Sequence, residues 1–562
     1  MSYIDWIAML GFISFVVIYG IVKTRNTKDV DSYIRAGRKT PWWTITLSIM
    51  ATQASAITFL STPGQAYVDG MRFVQFYLGL PIAMIILSIT AVPIYNKLNV
   101  YTAYEYLEKR FDLKNRTLGS VLFLSQRGLA AGFTIYAPAL ILSVILGWRL
   151  DITILIIGFV VILYTTVGGT IAVNKTHIFQ MIIITVGMFS AFFMIYVLLP
   201  KDISFIDAAY VAGKLGKLNA IDFSFDLNDR YTFWSGIIGG TFLMLSYFGT
   251  DQSQVQRYLA GSSIKESRMG LLVNGLVKVP MQFIILFIGA MVFVFYQFVT
   301  PPLFFNPVEE HNVKSSVYSG QYHDLENQYK NLNEEKQKQI RQMLGAIHDG
   351  NPEQIKRETD EVLNRQQEAS LVRGKAIDLI KEANPDADTS DTNYIFISYI
   401  VNFLPVGLIG LVLAAILSAS MSSTSAELNA LASTTVIDIY KRMIKKDGTD
   451  EQYLRASKIS TVLWGMYAVT FALFASQLGS LVEAVNILGS LVYGTILGIF
   501  LVAFYFKKVS GDATFISAIV AELVVLYCYF FTSIPFLWFN VIGCALVVGI
   551  SIMLNPVVRK VS

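Results

Sequence analysis

Oxygen donors recur in this sequence where a membrane helix would normally carry none. Residues 48–58 hold four hydroxyl side chains and one amide among eleven positions, from Ser48 through Thr52, Gln53 and Ser55 to Thr58. Residues 418–425 hold six hydroxyls in eight positions. A third polar stretch runs from Ser246 through Tyr247, Gly249 and Thr250 to Asp251 and Gln252. A small hard cation such as Na⁺ takes oxygen ligands. Hydroxyls one turn apart, facing free backbone carbonyls, supply them without a fixed charge and so bind weakly enough to let the ion go. Close helix packing through small residues accounts for Ala and Ser alike, but not for hydroxyls opposite an interrupted helix. Arg127 lies a third to half way along an apolar stretch, where a charge is costly and marks function by default. It points to an anionic solute, with snorkelling or pairing to backbone carbonyls as the structural alternative, and Lys278 is a second candidate of the same kind.

The elements that must hold these residues follow from composition. The chain has 562 residues, 54% hydrophobic and 15% charged, with a net charge of +4. Soluble proteins average about 25% charged residues. Residues 301–392 carry 28 of the charges and the other 470 residues only 56, which excludes a string of soluble domains. No basic stripe sits on a soluble fold, so nucleic acid is not an expected partner. Cys528 and Cys544 lie in apolar runs and the 4 histidines are scattered, so neither a disulfide framework nor a metal cluster is read. No nucleophile elbow or phosphate loop is present, so the chain is not read as an enzyme, and no cofactor is expected beyond Na⁺ as coupling ion.

Segments of about 20 apolar residues are long enough to span a bilayer. Thirteen candidates lie near 3–22, 42–65, 74–96, 118–147, 152–172, 177–199, 231–251, 270–299, 404–438, 457–477, 481–505, 512–531 and 536–555. Lys and Arg accumulate in alternate short loops: six between 23 and 39, five between 97 and 116, then Arg257, Lys265 and Arg268, four between 441 and 446, and Lys507 and Lys508. The positive-inside rule then puts the N-terminus outside and the C-terminus inside. The expected organisation is an extra helix and inner loop (1–40), a first five-helix repeat (41–200), an outer loop (201–230), a second repeat (231–505) interrupted by a charged outer insertion (301–392), and two final helices with a short tail (506–562). Two amphipathic helices are expected in the insertion, near 324–346 and 352–383, with Asn351-Pro352-Glu353 as an N-terminal signal. It reads as a solvated hairpin, with a lid or partner-docking role as the alternative. The interrupted segments at 42–65 and 231–251 open the two repeats, the place where transporters bind ligand.

Several motifs resemble the sodium/solute symporter family. They are Ser55-Ala56-Ile57 with Phe59-Leu60, Pro63, Tyr67 and Gly70; Val92-Pro93-Ile94-Tyr95 followed by Thr102 to Phe111; Tyr164 with Gly168-Gly169; Asp251-Gln252 with Gln254 to Arg257; and Ser422-Ser423 with Asn429, Asp438 and Tyr440. The match covers everything except 301–392 and is closest to the iodide, monocarboxylate, multivitamin and sialic-acid carriers. The resemblance implies an all-α membrane protein with a LeuT-type five-plus-five inverted repeat and alternating access, in the plasma membrane or a bacterial inner membrane. It implies a sodium site from the carbonyls of Ala51, Ala54 and Ala419 and the hydroxyls of Ser422 and Ser423. A second site found in some members needs an Asp where this chain has His177, and a hydroxyl where it has Ala426, although Ser425 remains; one Na⁺ per cycle follows. The resemblance places Gln53, Ser55, Thr58, Phe73, Tyr77 and Tyr247 around the solute, and sialic-acid carriers hold the substrate carboxylate with an Arg in the helix of Arg127. Tyr77 stands where sugar carriers have Glu or Gln, which disfavours a plain hexose. The expected solute is a sialic acid, a sugar acid or a monocarboxylate. A neutral sugar, a transporter-like sensor and an uncoupled channel remain as alternatives.

Overall fold

A backbone in lipid must satisfy its own hydrogen bonds, and in this chain it does so as helix. The computed structural model describes residues 2–24, 38–226, 228–385, 387–475 and 480–561; among these, the only β pairing is an isolated bridge between Thr40 and Gly261. Ten helical stretches are long and apolar enough to cross a membrane, so this is an all-α, multi-pass membrane protein.

The chain opens with α1 (Tyr3–Thr24). The second apolar segment is split into α2 (Trp42–Gln53) and α3 (Ala56–Asp69). A 3₁₀ stretch (Gly70–Tyr77), α4 (Leu80–Ile89), α5 (Ala91–Leu98) and α6 (Tyr104–Arg110) lead to α7 (Leu113–Leu146). Next comes α8 (Leu150–Leu198), one unbroken helix of 49 residues where two segments were expected. At 1.5 Å per residue it runs ~74 Å, more than twice a membrane core of ~30 Å. Its apolar parts, Leu150–Val167 and Thr176–Leu198, are each of spanning length.

After α9 (Phe205–Lys214), a π turn (Ser235–Gly239) opens α10 (Gly240–Gly249), which halts at Thr250 and Asp251 and resumes as α11 (Gln252–Leu259). The long α12 (Ile264–Phe298) precedes the insertion, which folds as α13 (Pro307–Lys314), α14 (Ser319–Asp349) and α15 (Pro352–Ala383). The two helices read from the sequence are there, with Asn351 Oδ1 accepting from the amides of Glu353 and Gln354; α13 is additional. Then follow α16 (Thr392–Phe403), α17 (Leu408–Thr434) with a π extension (Thr435–Ile444), α18 (Asp450–Ala472), α19 (Leu481–Tyr505), α20 (Gly511–Phe531) and α21 (Phe536–Val561). The helix expected at 457–477 starts at Asp450, because Thr449 and Gln452 form a reciprocal cap there.

Two glycines set how close α3 comes to its neighbours. A Cβ on Gly64 would stand 2.0 Å from the Thr392 carbonyl oxygen, and one on Gly289 of α12 would stand 2.2 Å from that of Pro63. Any side chain there would push α3 off α16 and α12. On the other side of the bundle the hydroxyl-rich α17 is buried on all faces and packs on α8, α7 and α1. The insertion is tied to the segment around α9: Arg341 pairs with Asp202, and His348 Nε2 lies 2.7 Å from Asp207 Oδ1.

Candidate functional site

The gap between α2 and α3 is where helical hydrogen bonding lapses. Ala54 leaves helical geometry, with φ −82° and ψ 62°. Side chains answer some of the carbonyls this frees: Thr58 Oγ1 donates to Gln53 O at 3.0 Å, and Ser422 Oγ of α17 donates across to Ala51 O at 3.4 Å. Ser423 Oγ donates within its own helix, to Ala419 O at 3.2 Å and Ser420 O at 3.1 Å. All five expected sodium ligands are buried. The structure thus brings Ser422 onto the end of α2 and leaves Ser423 folded back on α17.

The residues expected at a second ion site are engaged with other partners. His177 Nδ1 lies 3.1 Å from Ser48 Oγ of α2, and its Nε2 has no hydrogen-bond partner. Ser425 Oγ instead accepts from Thr165 Oγ1 at 2.9 Å, and Ala426 O lies 3.5 Å from an Arg257 Nη2 donor.

Beside the break lies a cavity of about 100 Å³, several times the space one water needs. Gln53, Ser55, Thr58, Tyr77, Arg127 and Tyr247 line it. Phe73 does not, which corrects that expectation. In a 3₁₀ turn residues three apart eclipse, so Phe73 stacks on Phe76 (ring centres 5.4 Å apart, planes within 6°), and it is Phe76 that lines the wall.

Arg127 is fully engaged. Its Nε lies 3.0 Å from Asp251 Oδ2 and its Nη1 3.0 Å from Glu427 Oε1, while Nη2 contacts both Asp251 and the Tyr493 hydroxyl. The outer parts of the network are also satisfied. Tyr493 donates to Asp251 Oδ2 at 2.8 Å, Ser253 Oγ donates to Asp251 Oδ1 at 2.6 Å, and Thr134 Oγ1 donates to Glu427 Oε2 at 3.0 Å. The guanidinium also lies 5.4 Å from the Tyr247 ring centre. Neither snorkelling nor carbonyl pairing describes it: one cation is held by two carboxylates from α17 and from the α10–α11 break. Glu427 was legible as a carboxylate inside an apolar helix and Asp251 as a polar residue at a break. Tyr493 carries no such signal, being one aromatic within a continuous apolar segment.

Lys278 is the opposite case. It is 1% exposed, lines the same cavity, and its Nζ has no hydrogen-bond partner. Its closest aromatic contact is the Tyr77 ring, 6.0 Å away. Arg127, Asp251, Glu427 and Lys278 sum to zero charge when all are ionised.

The sequence profile described as "Sodium:solute symporter family" matches residues 33–314 and 376–521. The sodium/sialic acid symporter NanT of Aliivibrio fischeri is 25% identical over 563 aligned residues, 99% of this chain and 94% of that protein. The human sodium-coupled monocarboxylate transporter 1 is 33% identical over 273 residues, 49% of this chain and 44% of its own length. A solved Na⁺-coupled sialic acid symporter, in a substrate-bound outward-open state, shares the fold with a TM-score of 0.76 at 23% identity, covering 99% of this chain and 98% of that one.

Proposed function

The chain belongs to the sodium:solute symporter family, and from that premise we propose that it couples inward Na⁺ movement to uptake of a small organic anion by alternating access. The observation that carries the anion is the unpartnered Lys278 ammonium in the cavity wall. A carboxylate placed there gains a charge-assisted hydrogen bond. Arg127 cannot serve in the same way without giving up Asp251 or Glu427. Because the cavity's own charges balance, a carboxylate entering with one Na⁺ keeps the balance, whereas either alone leaves a buried net charge. Relatives named for sialic acid and for monocarboxylates share that carboxylate.

Na⁺ sits in this proposal among the carbonyls of Ala51, Ala54 and Ala419 and the hydroxyls of Ser422 and Ser423. Ser422 Oγ and Ala51 O are 3.4 Å apart, a spacing that two ligands of one cation adopt once the hydroxyl proton turns away. The stoichiometry is one Na⁺ per cycle, since the second site has lost its carboxylate to His177. Gln53, Ser55, Thr58, Tyr77 and Tyr247, joined by Phe76 in place of Phe73, surround the solute. The chain crosses the membrane thirteen times, N-terminus outside and C-terminus inside, with the insertion outside and the repeats bounded as read from the sequence.

The test is Na⁺-gradient-driven uptake by the purified chain in proteoliposomes, across sialic acids, uronic acids, short monocarboxylates and hexoses. Accumulation of an anion with Na⁺, and none with K⁺, is the expected result. Accumulation of a hexose alone overturns the anion assignment.

A further inference from the structure

A second cavity lies between the insertion and the bundle. It holds about 50 Å³ and is enclosed by Tyr67 of α3, Gln297 of α12, Tyr329 and Lys336 of α14, and Gln366 and Arg373 of α15. Its polar groups are lopsided. Lys336 is 2% exposed, donates to Gln366 Oε1 at 2.8 Å, and has no carboxylate partner among the described residues. An ammonium carries three donors, so two are unused. Arg373 adds a guanidinium, bound to Asp391 at 2.5 Å and stacked 5.7 Å from the Phe305 ring. Tyr67 from the bundle and Tyr329 from the insertion also line the cavity, each with a phenol hydroxyl. The one acceptor left without a partner there is Gln297 Oε1. With Asp391 cancelling Arg373, one buried positive charge remains. Burial pushes the Lys336 ammonium down to about 8, as expected for a cation desolvated with nothing opposite it.

We propose that this cavity is an anion-binding site for a small carboxylate, built half by the insertion and half by the bundle, and separate from the central cavity. Such a ligand meets the free Lys336 donors, with the phenols of Tyr67 from the bundle and Tyr329 from the insertion as further donors in the lining. The volume admits a carboxylate group and little more. The site reaches the transport machinery through α3 and α12, which line both cavities. Tyr67 stands three residues after Gly64 on α3, whose other end bears Ser55 and Thr58 in the central cavity. An anion bridging Tyr67 to Lys336 therefore ties α3 to the insertion. The same chemistry suits two sources, the carboxylate of the transported solute on its way in, or an anion that only regulates.

The proposal rests on the insertion lying outside but not on the identity of the solute. The experiment uses the full-length purified protein in K⁺ with Na⁺ absent, so that coupled binding at the central cavity is not engaged. Acetate is titrated at constant ionic strength against chloride, and thermal stabilisation is read. Acetate is expected to stabilise the wild type and Lys278→Met equally, with an apparent affinity about tenfold weaker or worse in Lys336→Met and recovered in Lys336→Arg. Should Lys336→Met fail to fold, Gln297→Glu puts a negative charge into the cavity from the bundle side and is expected to abolish the effect. Stabilisation that survives both Lys336→Met and Gln297→Glu, or that disappears in Lys278→Met, overturns the proposal. Competition of the transported solute with acetate assigns the solute as the ligand; acetate binding unaffected by the solute assigns a regulatory anion.

Discussion

The central cavity and the cavity under the insertion are built on one plan, and they share α3 and α12. Each has an arginine held by carboxylate and a lysine held by none among the described residues: Arg127 with Asp251 and Glu427 beside Lys278, and Arg373 with Asp391 beside Lys336. The division suits the two side chains. A guanidinium is planar, permanently charged and matched to two carboxylate contacts, whereas an ammonium is a compact point charge on a flexible stem. The arginines hold elements together, and the lysines are left for something that comes and goes. What differs is the neighbour. Beside Lys278 stands the helix break with its neutral oxygens, so on the proposed reading anion and Na⁺ bind together; beside Lys336 there is no such break, so the proposed anion there binds without Na⁺.

The sharpest way to break this comparison is to exchange the roles. Arg127→Gln strands two buried carboxylates, and removing one partner of a buried pair costs about 3–5 kcal/mol. The expected outcome is a protein that unfolds at much lower temperature in detergent. Arg127→Gln with unchanged thermal stability but no uptake would make Arg127 a solute ligand and end the parallel. Lys278→Met is expected to behave in the reverse sense. It removes a cation that makes no direct hydrogen bond among the described residues, so the melting temperature falls far less than in Arg127→Gln, while kcat/KM for anion uptake falls about a hundredfold, roughly 2.7 kcal/mol. Uptake kinetics and melting curves on the same preparations separate the two cases.

This asymmetry also marks the limit of sequence reading. Both intramembrane cations stand out in apolar runs, and so do both helix breaks, because hydroxyls, an amide and Asp251 are costly in lipid and visible against it. Which cation is free is not visible, since it depends on partners more than a hundred residues away. Glu427 comes to Arg127 across 300 positions and Asp251 across 124. Phe73 and Phe76 were a matter of local geometry: a 3₁₀ rather than α turn decides which ring meets the cavity. The two hairpin helices were legible from their own periodicity and caps, but the cavity they close was not, because it takes its other wall from α3 and α12.

The Na⁺ arm of the comparison is tested by Ser423→Ala. Removing one neutral ligand of five is expected to raise the Na⁺ concentration for half-maximal uptake about tenfold, about 1.4 kcal/mol. Acetate stabilisation in K⁺ is expected to stay as in the wild type. A Ser423→Ala variant with wild-type Na⁺ dependence removes this hydroxyl from the site, in keeping with its present bonds to Ala419 and Ser420.

The smallest effect expected is at the base of the insertion, where Asp388 adds an acid that no arginine takes. Burial raises its carboxyl from the ordinary 3.8 to about 7, nearby Asp391 and Glu309 push it the same way, and the Ser390 amide at 3.0 Å works against them. Between those two values the folded protein holds a proton that the unfolded chain has released, so stability falls as pH rises from about 4 to about 7 and is flat above. Solvent reaches this half-buried group, which reduces the contribution to about 1 kcal/mol. Melting curves at about pH 5 and about pH 8 should therefore differ more in the wild type than in Asp388→Asn, which is neutral throughout. An equal pH dependence in both would mean that Asp388 ionises as freely folded as unfolded. Among the described residues of the insertion cavity, the buried charge left without a carboxylate would then be the Lys336 ammonium, and that lysine would be a sharper counterpart to Lys278 than the acid-lined base of the hairpin now allows.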